Sequence, residues 1–311
     1  MTRLPLLLLG ACAHTIADPG ALTLAPTTSE LAAAELKVCW VEFATGTLPH
    51  KLSVAHGALD EDVVSTASGL LLVHPKGTWL IDGGLVEDTG PSIDEVRGLQ
   101  RAAIRQAAKG WTRVAMPDAA VRALGVDPAT LTGGIPTHGH FDHLGGLLTL
   151  PNLPIWMPQA EIDLAKQIAA EGGATILPPD ARAVVPRATA IPWDGGPALY
   201  WDQSHDLYGD GSVVLIPLPG HTPGSLGALV QLPTGRAVFL VGDTVWVREG
   251  YEQREPKSGL ASSFDSDSEL NDQQIGKLWT LHQAQPDLTI LPAHDRRQWE
   301  AAFGQPGCVG G

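Results

Sequence analysis

Apolar residues along this chain fall into short runs broken by Gly and Pro, with helical spacing in between. "LKVCWVEFATG" carries β-branched and aromatic residues and reads as a first strand. Two apolar runs, Leu70 to Val73 and Thr78 to Ile81, flank "HPKG" and predict a hairpin. Ser92 to Ala108 and "EIDLAKQIAAEGG" show apolar spacing near 3.6 and predict helices, the second stopped by Gly. Pro117 to Leu124 predicts a short helix entered through Pro117 and Asp118 and closed by Gly125. "SVVLIPLPGH", "LGALVQL" and "AVFLVGDT" predict three strands, the last two joined at "PTGR". A helix over roughly Asn271 to Gln285 and a buried strand, "LTILPAHD", complete the pattern. Strands come in two groups, each mixed with helices, which fits one α/β domain of layered type.

Composition narrows the partners. The 311 residues are 44% hydrophobic and carry a formal net charge of −14. So acidic a chain repels phosphate backbones and argues against nucleic acid, leaving a small-molecule substrate as the expected partner. The start, "MTRLPLLLLGACAH", has a basic residue, an apolar run too short to span a bilayer, and small residues. It predicts a signal peptide over residues 1–11 and a tether over 12–35, leaving residues 36–311 as the folded domain. "LGAC" resembles a bacterial lipobox with Cys12 as the lipid anchor; an ordinary signal or a misassigned start are the alternatives. The expected location is outside the cytoplasm, periplasmic or held at the membrane. Cys39 sits in an apolar run and reads as a core residue, and a bridge to Cys308 is open in an oxidising compartment.

"THGHFDH" places His138, His140, Asp142 and His143 within six positions. Three adjacent imidazoles in an apolar setting need partners, because buried unpaired polar groups are costly. A metal site needs further ligands from elsewhere in the fold. His221 follows "VVLIPLPG", Asp243 follows "AVFLVG" and His294 follows "LTILPA", each where a strand ends. Rigid scaffolds present functional groups at such places. His50, His56, His74, His205 and His282 lack such a setting and read as surface or loop residues.

"THGHFDHLGG", "PGHTPGS", "VGDT", "PAHD" and "WLIDGG" together resemble the metallo-β-lactamase-fold hydrolase superfamily. The resemblance runs from about Gly69 to Asp295 and implies an αββα sandwich with two metal ions at one edge. His138, His140 and His221 would hold the first ion. Asp142, His143 and His294 would hold the second, with Asp243 between them and Asp82 orienting a histidine. Imidazole-rich sites suit zinc. Two zinc ions sharing one water would lower its pKa from about 15.7 towards roughly 7, giving a bridging hydroxide that attacks an ester-like carbonyl. Asp142 would pass a proton to the leaving group.

Within the superfamily, His140 stands where oxygen-reducing diiron relatives carry a carboxylate. Asp243 stands where true β-lactamases have Cys or Ser. "HDLYGDGSVVLIPLPGHTPGS" and the helical insert before the histidine cluster resemble the N-acyl homoserine lactonase branch, which makes a lactone the expected substrate. A glyoxalase II-like thioesterase is the alternative, weakened because only 17 residues follow His294. A non-catalytic metal-binding protein is disfavoured by the complete ligand set. Several lactonases place a Tyr three residues after the bridging Asp, against the substrate carbonyl; here Trp246 holds that position, and Tyr251 is the candidate to serve instead. "TVWVREGYEQREPKSGLASSFDSDSEL" reads either as a loop over the metals, with Trp246, Arg248 and Tyr251 reading the substrate, or as a polar surface excursion.

Overall fold

The computed structural model describes residues 14–25, 35–98 and 100–309. Cys12 and the apolar run of the expected export signal lie outside them. Two sheets face each other. The first holds β1 (Lys37–Pro49), β2 (Asp62–His74), β3 (Gly77–Ile81), β4 (Trp111–Arg113), β5 (Gly133–Ile135), β6 (Ile155–Met157), β7 (Ala188–Ala190) and β13 (Gly307–Val309). Its order is β13-β1-β2-β3-β5-β6-β7, with β4 paired to the later half of β1. The second holds β8 (His205–Asp206), β9 (Val213–Pro217), β10 (Leu226–Gln231), β11 (Ala237–Leu240) and β12 (Thr289–Leu291), in the order β12-β11-β10-β9-β8.

The two-residue period of the strands sorts side chains into layers. Trp40, Leu70 and Ile81 lie in register across β1, β2 and β3 and face Leu215, Ala228 and Leu240 of the second sheet. The alternate residues Cys39, Leu71 and Leu80 also lie in register and pack outward on Leu147, Ala165 and Ile168. On the other outer face Ile216, Leu229 and Phe239 meet Ile275, Leu278 and Leu281 of the helix Ser268–Ala284. The result is the αββα sandwich that the sequence motifs imply. Trp40 is fully buried and donates its Nε1–H to Ser68 Oγ at 2.8 Å. Truncating it to Ala would cost about 3–5 kcal/mol.

Several expectations change. The helix expected over Ser92–Ala108 is two, Gly90–Asp94 and Gln100–Lys109, parted by a stretch containing Gly98 at φ +74°. Part of the expected tether lies on the domain: Ile16 is buried in the outer cluster with Ile275 and Leu278, and Ala25 N–H donates to Leu199 O at 2.8 Å. An apolar Ile and Leu24 give that segment something to bury. His74 is buried rather than exposed, stacked on Tyr208 and 3.1 Å from Asp210 Oδ2. Cys39 and Cys308 are bridged, directly opposite each other on β1 and β13.

Candidate metal centre

The chemistry-bearing residues gather at one edge because the strands that deliver them end there. β3 leads into Asp82, β5 into Thr137–His143, β9 into His221, β11 into Asp243 and β12 into His294. β3 and β5 run parallel, as do β11 and β12, so their C-terminal ends coincide. Two glycines let the chain turn there. Gly220 has φ +142° and its Cα lies so close to Asn271 that a Cβ would meet backbone N at 2.5 Å; Gly242 has φ +53° against Thr137. Asp82 itself adopts φ +58°, a conformation uncommon outside Gly and Asn.

The seven expected ligands converge. His138, His140, His221 and Asp243 form one group and Asp142, His143 and His294 the other, with the ligand atoms of each group within 4.8 Å of one another. His140 Nδ1 lies 3.0 Å from both His138 Nε2 and His221 Nε2. Asp243 faces both groups: Oδ1 is 3.3 Å from His143 Nε2 and 3.2 Å from His294 Nε2, while Oδ2 is 3.6 Å from His221 Nε2. Asp142 lies at 3.6 Å from His294 Nε2 and 3.9 Å from His143 Nε2.

Hydrogen bonds behind the rings set their tautomers. His221 Nδ1–H donates to Asp265 at 2.7 Å, His143 Nδ1–H to Asp82 at 3.0 Å, and His294 Nδ1–H to Thr66 O at 2.9 Å. Thr137 Oγ1 donates to Asp82 at 3.0 Å and lies 3.2 Å from His138 Nδ1, whose proton it accepts. Four Nε2 lone pairs are thereby left pointing inward. His143 Nε2 and Asp243 Oδ1 are buried with no hydrogen-bond partner among the described residues. Lone pairs 3.0–3.6 Å apart match the edge of a tetrahedron with metal–ligand bonds of about 2.0–2.1 Å, which is about 3.3 Å. The donor set therefore fits two small divalent cations with Asp243 shared.

Charge divides the two groups. Burial, the largest influence, keeps the His138 and His140 rings well below the usual imidazole range, and neighbouring imidazoles act the same way. Burial and then Lys257 lower His221. At His143 burial also favours the neutral ring, but Asp82, Asp243 and Asp142 outweigh it and raise that residue well above the ordinary value. His294 is raised in the same way, against its burial, by Asp243 and Asp142. Asp243 is held well below the carboxylate range by His294 and His143 despite its burial.

A cavity of about 390 Å³ opens on this cage. His140, Asp142, Asp243 and His294 form its floor; Leu48, Leu52, Trp111, Phe141, Leu260 and Phe264 are among its walls, and no Lys or Arg among the described residues lines it. Trp246 lines the cavity. Tyr251 does not: it is 3% exposed, packs among Val245, Ile275 and Ile290, and its hydroxyl donates to Ile290 O at 3.4 Å. The short helix Glu249–Glu252 turns Tyr251 inward, away from the metals. Arg248 also stays out of the cavity, beside Glu249 and Glu252. The stretch after Asp243 thus joins both readings, a cavity wall through Trp246, Leu260 and Phe264 and an outer surface through Arg248.

Three supporting residues escaped the sequence reading. Glu161, fully buried in the first turn of the helix Gln159–Glu171, accepts from Gly139 N–H (2.7 Å), Gly224 N–H (2.9 Å) and Thr222 Oγ1 (2.8 Å). It ties the loop of His138 and His140 to the loop of His221. Asp265 and Lys257 stand behind His221, 2.6 Å from each other. A carboxylate in an otherwise apolar helical face was the available signal for Glu161.

The described chain matches the model of the metallo-beta-lactamase superfamily over residues 63–294. It is 27% identical to the N-acyl homoserine lactonase AttM of Azorhizobium caulinodans over 248 residues, covering 76% of this chain and 84% of that one. Among solved structures, an N-acyl homoserine lactone hydrolase with N-hexanoyl-L-homoserine at its catalytic metal centre superposes with a TM-score of 0.62 at 19% identity, over 87% of this chain and 98% of that one. AidC, described as a dizinc quorum-quenching lactonase, superposes with a TM-score of 0.58 at 16% identity, over 89% and 92%. With the strand-end geometry and the matched family model in agreement, the chain belongs to the metallo-β-lactamase superfamily of hydrolases and is similar to the lactonases named above.

Proposed function

We propose that the protein is a dinuclear zinc hydrolase that opens lactones, with acyl-substituted lactones of the homoserine type as the substrate class. The observation that carries this is the cavity: apolar-walled, about 390 Å³, without a Lys or Arg among the described residues, and floored by the ligand cage. Such a lining suits a neutral substrate with an apolar arm and, beyond the metal floor, offers no Lys or Arg among the described residues for a glutathione carboxylate. The relatives named above as lactonases support the same reading.

His138, His140 and His221 would hold one zinc ion and Asp142, His143 and His294 the other, with Asp243 reaching both. Bound there, the ions would supply a hydroxide nucleophile at neutral pH and electrophilic polarisation of the lactone carbonyl. The chain's own residues do the rest. Asp142, at the boundary between cage and cavity, can accept a proton and deliver it to the alkoxide released on ring opening. Trp246 offers an indole N–H, without a partner among the described residues, but no hydroxyl. Phe141, Phe264 and Leu260 offer apolar surface that would bed the acyl arm.

Zinc-loaded protein tested against N-acyl homoserine lactones, acyl-glutathione thioesters and a phosphodiester should release acid fastest from the lactones. Faster thioester turnover, or none on any lactone, would contradict the reading. The Cys39–Cys308 bridge supports the export proposal, since disulfides persist in oxidising compartments. Cys12→Ser should then shift the protein from the membrane to the soluble fraction, and unchanged fractionation would reject the lipid anchor.

A further inference from the structure

His221 and His143 each rest on a buried carboxylate, but only one of those carboxylates is paired with a cation. Asp265 Oδ1 accepts from His221 Nδ1–H at 2.7 Å and from Lys257 Nζ at 2.6 Å. Lys257 Nζ is 3.1 Å from His221 Nδ1, so two donors converge on one oxygen. The Lys257 and Asp265 side chains are 2% and 1% exposed, so water does not screen the pair. Both are held from behind. Ser258, beside Lys257, donates its hydroxyl to Leu52 O at 2.5 Å, and Ser266, beside Asp265, donates its N–H to His221 O at 2.8 Å. Asp82, in contrast, accepts from Thr137 N–H, Thr137 Oγ1 and His143 Nδ1–H, with no Lys or Arg partner among the described residues.

The charge around the two groups of ligands is therefore unequal. The group of Asp142, His143 and His294 has Asp142 and Asp82 as its own anions. The group of His138, His140 and His221 has Asp265, offset by Lys257, and Glu161 behind its loops, which accepts from Gly139 N–H, Gly224 N–H and Thr222 Oγ1 rather than from a ring. Asp243 is common to both. A carboxylate behind a ligating imidazole raises the ring's basicity, and a cation on that carboxylate reduces the gain. A buried cation one imidazole away also repels a divalent ion directly.

We propose that Lys257 is a positioning residue that makes the two halves of the cage unequal. It fixes Asp265 against His221 and, by offsetting that carboxylate, keeps the His138–His140–His221 half the weaker of two binding sites. This inference rests on the two-zinc reading above.

The test is zinc titration of the metal-free full chain against a competing chelator, with thermal unfolding followed for each variant. Wild-type protein should show two binding steps, and His140→Ala should retain only the tighter one. Lys257→Met should strengthen the weaker step by about tenfold or more, because the Asp265 charge is released toward His221. Asp265→Asn should weaken the same step by about 10–100-fold. A purely structural role for the pair would weaken binding in both variants, so the opposite signs are diagnostic. A weaker step that is unchanged or weakened in Lys257→Met overturns the proposal. If the Met variant does not fold, Lys257→Gln, which keeps a donor for Asp265 but not the charge, is judged by the same criterion. Two steps in wild type with no strengthening in the Lys257 variant refute this inference alone. Uptake of fewer than two zinc ions by wild type refutes the proposed function and this inference with it.

Discussion

The His138–His140–His221 half of the cage and the Asp142–His143–His294 half use the same imidazole chemistry on different supports. The first is three imidazoles gripped by loops that Glu161 pins together, with an ion pair behind His221. The second includes a carboxylate, Asp142, and rests on Asp82, which also fixes Thr137 and sits at the end of β3. Burial first, then neighbouring imidazoles or Lys257, lowers His138, His140 and His221, whereas nearby carboxylates raise His143 and His294 against their burial. The motif specifies which residues converge; the supports specify how strongly each half draws charge.

The largest effect should come from the residue the halves share. Asp243→Asn removes the negative charge both sides share and leaves a single carbonyl oxygen, and we expect zinc content below about one per chain and a loss of activity beyond the 10–100-fold typical of outer partners. Metal analysis and lactone turnover check it together; full activity with one ion lost would refute the bridging role. Glu161→Ala should act next, and on the first half. It deletes three accepted hydrogen bonds at a buried charge, so a loss of about 3 kcal/mol in urea unfolding is expected. Zinc uptake by the first half should weaken more than by the second. Asp82→Asn keeps the shape and tolerates the positive φ, so its expected effect is on affinity. The Asp142–His143–His294 half should lose about tenfold or more, with stability changed by only about 1 kcal/mol; equal losses in both halves would break the comparison. Tyr251→Phe, which touches neither half, should shift activity less than about twofold and stability by about 1 kcal/mol or less, the value of one long hydrogen bond.

These contrasts also mark where sequence reading succeeds. His221, Asp243 and His294 stand out in the sequence because each follows an apolar strand beside Gly or Pro, and residues 138–143 stand out by their density of imidazoles; their grouping into one set comes from the family resemblance. Asp82 enters through the resemblance, as the aspartate at the strand end in "WLIDGG". Tyr251 was misplaced because nearness in sequence to Asp243 does not set the face it takes on the helix Glu249–Glu252, and that face is the core side. Lys257 and Asp265 lie eight positions apart in a polar stretch, where burial of an ion pair leaves no periodic signature. Glu161 was masked by its place in a first helical turn, where acidic residues are common for the sake of the dipole. The short strands β6 and β7 give too few positions for alternation to register, and the fragment 14–25 docks through little more than Ile16, Leu24 and a few polar contacts.

The most direct measurement is anomalous scattering at the zinc absorption edge from crystals of the zinc-loaded protein. Two peaks are expected, one enclosed by His138, His140 and His221 and one by Asp142, His143 and His294, with a carboxylate oxygen of Asp243 directed at each. A single peak, or zinc bound elsewhere with the cage held together by protons alone, would contradict the account.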